Sequence, residues 1–490
     1  MLFNSYEFIF LFLPVVFFTY YFLLSKRLVV GAKGFLVFSS LFFYSWWNIA
    51  YLPLILSSML FNYIVGSSLN GAKEHIKIGK KQLLSIGIIA NLGLLGYFKY
   101  ADFFISNLNA LGASIGLLEL ALPLAISFFT FQQIAYLVDS YRGETNEYDF
   151  LNYALFVTFF PQLIAGPIVH HKEMMPQFAS RWNAVKKYRN IALGMFIFSM
   201  GLFKKVVIAD TFAVWATAGF DSATTLTFFE AWATSLSYTF QLYFDFSGYT
   251  DMAIGVALLF NIKLPINFNS PYKATDIQDF WRRWHMTLSR FLKDYIYIPL
   301  GGNRKGSFRT YNNLMATFIL GGLWHGAGWT FVFWGFLHGL ALVIHRLWQS
   351  IGFKLNIIVA WFITFNFVNI AWVFFRAKEW EDAIKVLEGM FVINPESLKF
   401  NIDFLDTLSM WLNIAMHEYL PYTMAKPNVD TIALLYILVA IPIVVWMKNS
   451  SYYMSREVSG KMILVASLAF SYAIINSFFT STEVFLYFNF

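Results

Sequence analysis

The residue of this chain best suited to chemistry is His325. It sits in an uncharged run of 36 residues, Thr310 to His345, within the local sequence GGLWHGAGWTFVFWGFLHG. An imidazole at membrane depth costs free energy unless it faces a cavity or a partner, so its presence marks a functional site. Four glycines crowd it, Gly321, Gly322, Gly326 and Gly328. Glycine lowers helix propensity and lets backbone or a ligand come close. In a bilayer such backbone survives only where protein or water covers it, as it would along a lined tunnel. An imidazole titrates near pH 6.5 and is the ordinary side chain for proton transfer at neutrality.

A second chemical segment runs from Asn267 to Arg309. From Arg282 onward it holds seven cations (Arg282, Arg283, Arg290, Lys293, Arg304, Lys305 and Arg309) against Asp294, and it contains His285. Trp281, Trp284, Phe291, Tyr295 and Tyr297 are interleaved. On spacing alone this reads as an interfacial helix, with rings in the acyl boundary and cations outward. Its sharper reading is a basic rim for a phosphorylated donor, with Arg282, Arg283, Arg304 and Lys305 contacting phosphate and GGNRKG offering free backbone N–H groups. Asp245, Ser247 and Asp251 stand in another apolar run and are expected to line a cavity, because lipid-facing carboxylates are rare. Gln162 and Trp324 are placed with them. His338 and His345 read as packing or interface residues, and His75 and His417 as solvent-facing. His170 and His171 have no third ligand nearby, so no metal site is expected.

These residues need elements to hold them, and composition says which kind. Hydrophobic residues make up 58% of the 490 and charged residues 13%, with a mean hydropathy of +0.57. A soluble protein carries about 25% charge. Aromatics reach 20%, which suits lipid-facing surfaces and interfacial belts. The apolar runs are continuous and helix-length, without the alternation of a membrane barrel. They fall at about 7–25, 34–49, 51–69, 82–101, 118–140, 150–170, 190–220, 226–262, 310–346, 354–375, 430–447 and 461–480. The fold class is therefore all-α: a polytopic membrane protein of roughly 10–13 transmembrane and re-entrant helices around a central cavity, given a hydrocarbon core of about 30 Å. No linker, repeat or low-complexity tract appears, and residues 1–490 read as one integral-membrane domain.

Lys26 and Arg27 follow the first apolar run rather than precede it, so that run is expected to be a retained helix and not a signal peptide. The basic clusters Lys26/Arg27/Lys33, Lys73/Lys77/Lys80/Lys81 and Arg181/Lys186/Lys187/Arg189 mark the cytoplasmic side, which puts the N-terminus outside. The formal charge of +7 is explained by these short loops and by anionic lipid, not by nucleic acid. The chain has no cysteine, which excludes disulfides, thiolate catalysis and Cys-ligated metal.

WRRWH…DYIYIPLGGNR followed by GGLWHGAGWTFVFWG resembles the membrane-bound O-acyltransferases, in particular their bacterial alginate O-acetyltransferase branch. FFPQLIAGPIV (159–169), FDFSGYTDMAIG (244–255) and INFNSPY (266–272) match the same branch, and the likeness covers essentially the whole chain. The related D-alanyl transferases of teichoic acid synthesis share RWH and LWHG, while the intact PLGGNRKG favours the acetyl branch. One departure is His170, where that branch usually has Arg after GPIV.

The resemblance implies that His325 is catalytic and His285 a second functional position, on separate elements. Acyl transfer from a thioester to a sugar hydroxyl needs a base near neutrality. With no cysteine and no GxSxG elbow, a His-based transfer is the simplest route. The implied function is a membrane O-acetyltransferase taking acetyl from a cytoplasmic donor, with acetyl-CoA expected and no bound cofactor. It would pass acetyl to an exported or surface polysaccharide (alginate-type, cellulose or peptidoglycan) through a periplasmic acetyltransferase partner, in the bacterial inner membrane. The chain ends FLYFNF, which reads either as an aromatic anchor or as a tail carrying Tyr487 as an acyl relay. The competing readings are a D-alanyl transferase and a non-enzymatic transporter or export-complex subunit. A transporter would carry inverted repeats and paired intramembrane carboxylates, and neither is visible.

Overall fold

A computed structural model describes residues 1–70, 78–145, 149–164, 166–393, 429–479 and 486, with side chains of the 429–446 helix from Ala433 onward. Tyr487, His75 and His417 lie outside the described residues. Among those described, the regular elements are all helical. Among the described residues, seven helices are long and apolar enough to cross a membrane: Glu7–Ser25, Ile49–Leu69, Lys80–Ala110, Tyr188–Ser222, Trp329–Ile351, Ile357–Arg376 and Gly460–Phe479. Val29–Ser45 and Ala433–Trp446 are shorter apolar helices.

Several expected runs resolve differently from their hydropathy. Residues 226–262 form one helix, Phe228–Leu259, of 32 residues. It starts where Thr227 and Glu230 cap each other: the Thr227 N–H donates to Glu230 Oε2 at 2.7 Å, satisfying an end that would otherwise be bare. This helix is the axis of the fold, buried from Ser237 to Leu259. Residues 150–170 hold two short helices, Phe150–Thr158 and Phe160–Leu163, because Pro161 starts a new element. Residues 310–346 split into Ser307–His325 and Trp329–Ile351, joined by extended Gly326 and Gly328.

Glycine sets how closely these helices pack. A Cβ on Gly194 would stand 2.6 Å from Gly255 O, and one on Gly201 would stand 2.6 Å from Gly248 O. The Tyr188–Phe203 helix therefore touches the axial helix backbone to backbone, as small residues allow in lipid. The hairpin carrying His325 uses the same device. A Cβ on Gly322 would lie 2.3 Å from Phe331 O, and one on Gly335 would lie 2.3 Å from Phe318 O. Gly321 and Gly322 thus lie inside an unbroken helix and serve packing, while the break falls after His325.

The 277–292 segment corrects the expectation of one interfacial helix with its rings in lipid. It forms two short helices, Ile277–Arg283 and Met286–Leu292, broken at His285, whose backbone is left-handed (φ 41°, ψ 53°). Trp281, Trp284 and Phe291 are buried in protein. Trp284 packs 4.9 Å from Trp372 and Phe291 stacks 4.2 Å from Phe131.

Candidate functional site

His325 is the last residue of the Ser307–His325 helix and is 3% exposed. Three rings hold its imidazole: Trp334 at 5.2 Å and perpendicular, Phe375 at 5.1 Å and Trp324 at 4.9 Å. Trp324 in turn stacks on Phe131 at 4.9 Å. The residues after the helix end, Gly326 and Ala327, line a cavity of about 830 Å³ together with Lys99, Asp221, Gln241, Phe375, Arg376 and Leu486. His325 immediately precedes the lining residue Gly326, and its ring packs on Phe375, another residue of the lining.

One lining residue, Asp221, stands at the end of its span opposite a basic loop. The Tyr188–Ser222 span begins beside Arg181, Lys186 and Lys187, so Asp221 is at its far end. Arg376, at the end of its own span, forks onto Asp221 at 3.2 and 2.7 Å. A second, polar cavity of about 410 Å³ is lined by Asp139, Arg142, His170, Lys172, Arg290 and Tyr295, among others. It belongs to the basic side, where Arg142 leaves the Ile126–Tyr141 helix.

His285 is fully buried, and Asn267 fixes its tautomer. The Thr287 N–H can only donate, and it meets Asn267 Oδ1 at 3.2 Å, so that atom is the amide oxygen. The Thr287 hydroxyl reaches the same oxygen at 2.8 Å, and His285 Nδ1 at 3.0 Å. His285 must then donate from Nδ1, which leaves the lone pair of its neutral ring on Nε2. His338 is opposite: Trp281 Nε1 donates to its Nδ1 at 3.2 Å, so its proton is on Nε2.

Asp245 and Asp251 lie on the axial helix in buried ion pairs. Lys205 Nζ is 2.9 Å from Asp245 and 2.6 Å from Asp210. Lys204 Nζ is 2.7 Å from Asp251, which also accepts from the Ser450 hydroxyl at 2.8 Å. The other oxygen of Asp245 accepts from the Leu486 N–H at 3.0 Å, tying residue 486 to the far cavity. Ser247 is buried on the same helix, and Gln162 is buried with its amide donating to Phe156 O. Arg282, Arg304 and Lys305 are exposed, while Arg283 spends its Nε on Asp279 at 2.9 Å. The guanidinium groups in the lining of the basic-side cavity are Arg142 and Arg290, the latter paired with Glu173. Among the described residues no group of three His, Cys, Asp or Glu is placed to hold a metal ion.

Lys99 and Tyr100 escaped the sequence reading. Lys99 is the first charge after Lys81, and a solitary cation inside an apolar segment is itself a functional signal. It lies in a wide turn, Gly96–Tyr100, of the π type often found at functional positions.

The chain from residue 75 to 378 matches the model of the membrane-bound O-acyltransferase family. It is 51% identical to the peptidoglycan O-acetyltransferase of Helicobacter pylori over 100% of this chain and 98% of that protein. It is 43% identical to a probable alginate O-acetylase of Pseudomonas aeruginosa over 80% of this chain and 75% of that protein. It is 29% identical to the teichoic acid D-alanyltransferase of Streptococcus thermophilus over 46% and 57% of the two chains. With its polytopic helical fold, this chain belongs to the membrane-bound O-acyltransferase family and is an acyltransferase enzyme.

Proposed function

We propose that the protein moves acetyl groups from a thioester donor on the basic, cytoplasmic face of the bacterial inner membrane to the opposite face, for O-acetylation of peptidoglycan. Acetyl-CoA is the donor in this reading, and a periplasmic acetyltransferase partner takes the group onward. One observation carries it: the Ser307–His325 helix starts at the basic GGNRKG loop and ends at His325, whose ring packs on Phe375 in the lining of the far cavity. Peptidoglycan is preferred to alginate as the acceptor because the likeness to the peptidoglycan enzyme runs over the whole chain.

In the reaction, a hydroxyl oxygen attacks the acetyl carbonyl carbon while His325 takes the hydroxyl proton. The C–O bond forms, the C–S bond breaks, and the proton passes to the departing thiolate. General-base help of this kind contributes roughly 10²–10⁴-fold. His285, with its Nε2 lone pair set by Asn267, supports the same proton traffic. The basic-side cavity around Arg142, Lys172 and Arg290, with the outer cations Arg282, Arg304 and Lys305, suits the phosphates of a CoA-type donor.

The test is the ester-linked acetate released by mild base from purified peptidoglycan, compared between wild-type cells and cells lacking the protein. Loss of wall acetate with unchanged secreted polysaccharide supports the reading. Unchanged wall acetate with loss of acetate from a secreted polysaccharide moves the acceptor to that polymer.

A further inference from the structure

Lys99 Nζ lies 2.6 Å from Trp324 O, 3.1 Å from His325 O and 3.3 Å from Ser127 Oγ. The next residue, Tyr100, donates its hydroxyl to Leu323 O at 2.7 Å. Three successive carbonyls at the end of the helix that carries His325 are thereby held from one turn of another helix. A helix ends with carbonyls that lack intrahelical partners and with the negative pole of its dipole, and both favour a cation there. The Lys99 ammonium also stands 5.9 Å from the ring centroids of Trp324 and Tyr100. Among the described residues no carboxylate forms an ion pair with Lys99, and the nearby Asp102 accepts instead from Leu118 N and Glu119 N at 2.7 and 2.9 Å. The charge is thus balanced by the helix end itself.

We infer that Lys99, with Tyr100, is a positioning residue for the acyl transfer: it clamps the Leu323–His325 helix end and so fixes where the His325 imidazole meets the reacting groups. An ammonium has three N–H donors, and two carbonyls and a hydroxyl take all three. None remains for substrate, which separates this role from direct stabilisation of the reacting carbonyl. The inference rests on the proposed role of His325. It goes further in naming the groups that hold that residue.

The experiment replaces Lys99 by Met, which keeps length without donors, and by Arg, which keeps a cation with donors. Tyr100→Phe and His325→Ala accompany them. Each full-length variant is matched for amount in the membrane, and two quantities are read: base-released wall acetate, and hydrogen exchange of peptides spanning residues 318–328 in detergent. We expect Lys99→Met to lose at least tenfold in acetate with faster exchange over that segment, Tyr100→Phe to lose less, and Lys99→Arg to recover a substantial part of both. Wild-type acetate in Lys99→Met with His325→Ala inactive overturns the inference. Loss of acetate in Lys99→Met with exchange unchanged also overturns it and moves Lys99 into the chemistry itself. Wild-type acetate in His325→Ala overturns the underlying role of His325 instead, a result distinct from either.

Discussion

His285 and Asn267 form a single unit: the imidazole Nδ1 sits 3.0 Å from an amide oxygen that Thr287 anchors with both its backbone N–H and its hydroxyl. His285 also holds a left-handed backbone that costs a non-glycine residue about 1–2 kcal/mol. The loop between the two short helices thus spends stability to aim one ring. Asn267→Ala should leave His285 in place but free its tautomer, lowering acetylation about 10- to 100-fold. Thr287→Val should have a smaller effect, since the Thr287 N–H remains. Wall acetate at matched membrane abundance checks both.

The buried Lys205–Asp245–Asp210 cluster makes a stability prediction. Breaking a buried pair by removing one partner typically costs about 3–5 kcal/mol, because a charge is left uncompensated. Lys205 is the cation shared by both carboxylates, so Lys205→Met should lower the melting temperature in detergent clearly, and Lys205→Met combined with Asp245→Asn and Asp210→Asn should recover part of the loss. A melting temperature unchanged by Lys205→Met would show that the cluster contributes little.

How much of this could be read from the sequence depended on what each signal measures. Hydropathy reports burial in lipid or protein without distinguishing them, so Trp281, Trp284 and Phe291 looked like interfacial rings although they pack inside the protein. The chemical residues His325 and His285 were legible because an imidazole in apolar sequence is costly and therefore has a reason. Lys99 carried the same signal in plain view, but its partners are backbone carbonyls about 225 positions away, which no local pattern can show. The glycines at 194, 201, 248 and 255 are spaced for close helix contact, yet only the fold reveals that the two pairs face each other.

The orientation is open to labelling, because the chain has no cysteine of its own. Ser307→Cys, exposed at the start of the helix leading to His325, should react only with reagents that enter the cytoplasm. Lys378→Cys, beside Asp221 at the far cavity, should react with an impermeant reagent from outside. The reverse pattern would invert the donor and acceptor faces.

Tyr487 lies outside the described residues, but its neighbour Leu486 is bonded to Asp245 and lines the far cavity. If the tail acts as an acyl relay, the phenol hydroxyl accepts acetyl and passes it outward, splitting one transfer into two. Tyr487→Phe keeps the ring and deletes the nucleophile. In the relay case wall acetate vanishes, and intact-mass analysis of the wild type under donor shows acetyl on the C-terminal peptide. In the anchor case the variant matches wild type.

His325 is proposed as the base for acyl transfer beside the far cavity. The direct measurement is wall-linked acetate in cells carrying His325→Ala, with the variant's membrane abundance and melting temperature matched to wild type. Acetate is expected to fall to no more than a few per cent of wild type, in line with the roughly 10²–10⁴-fold that general-base removal costs. Acetate close to the wild-type level in a folded His325→Ala protein would contradict it.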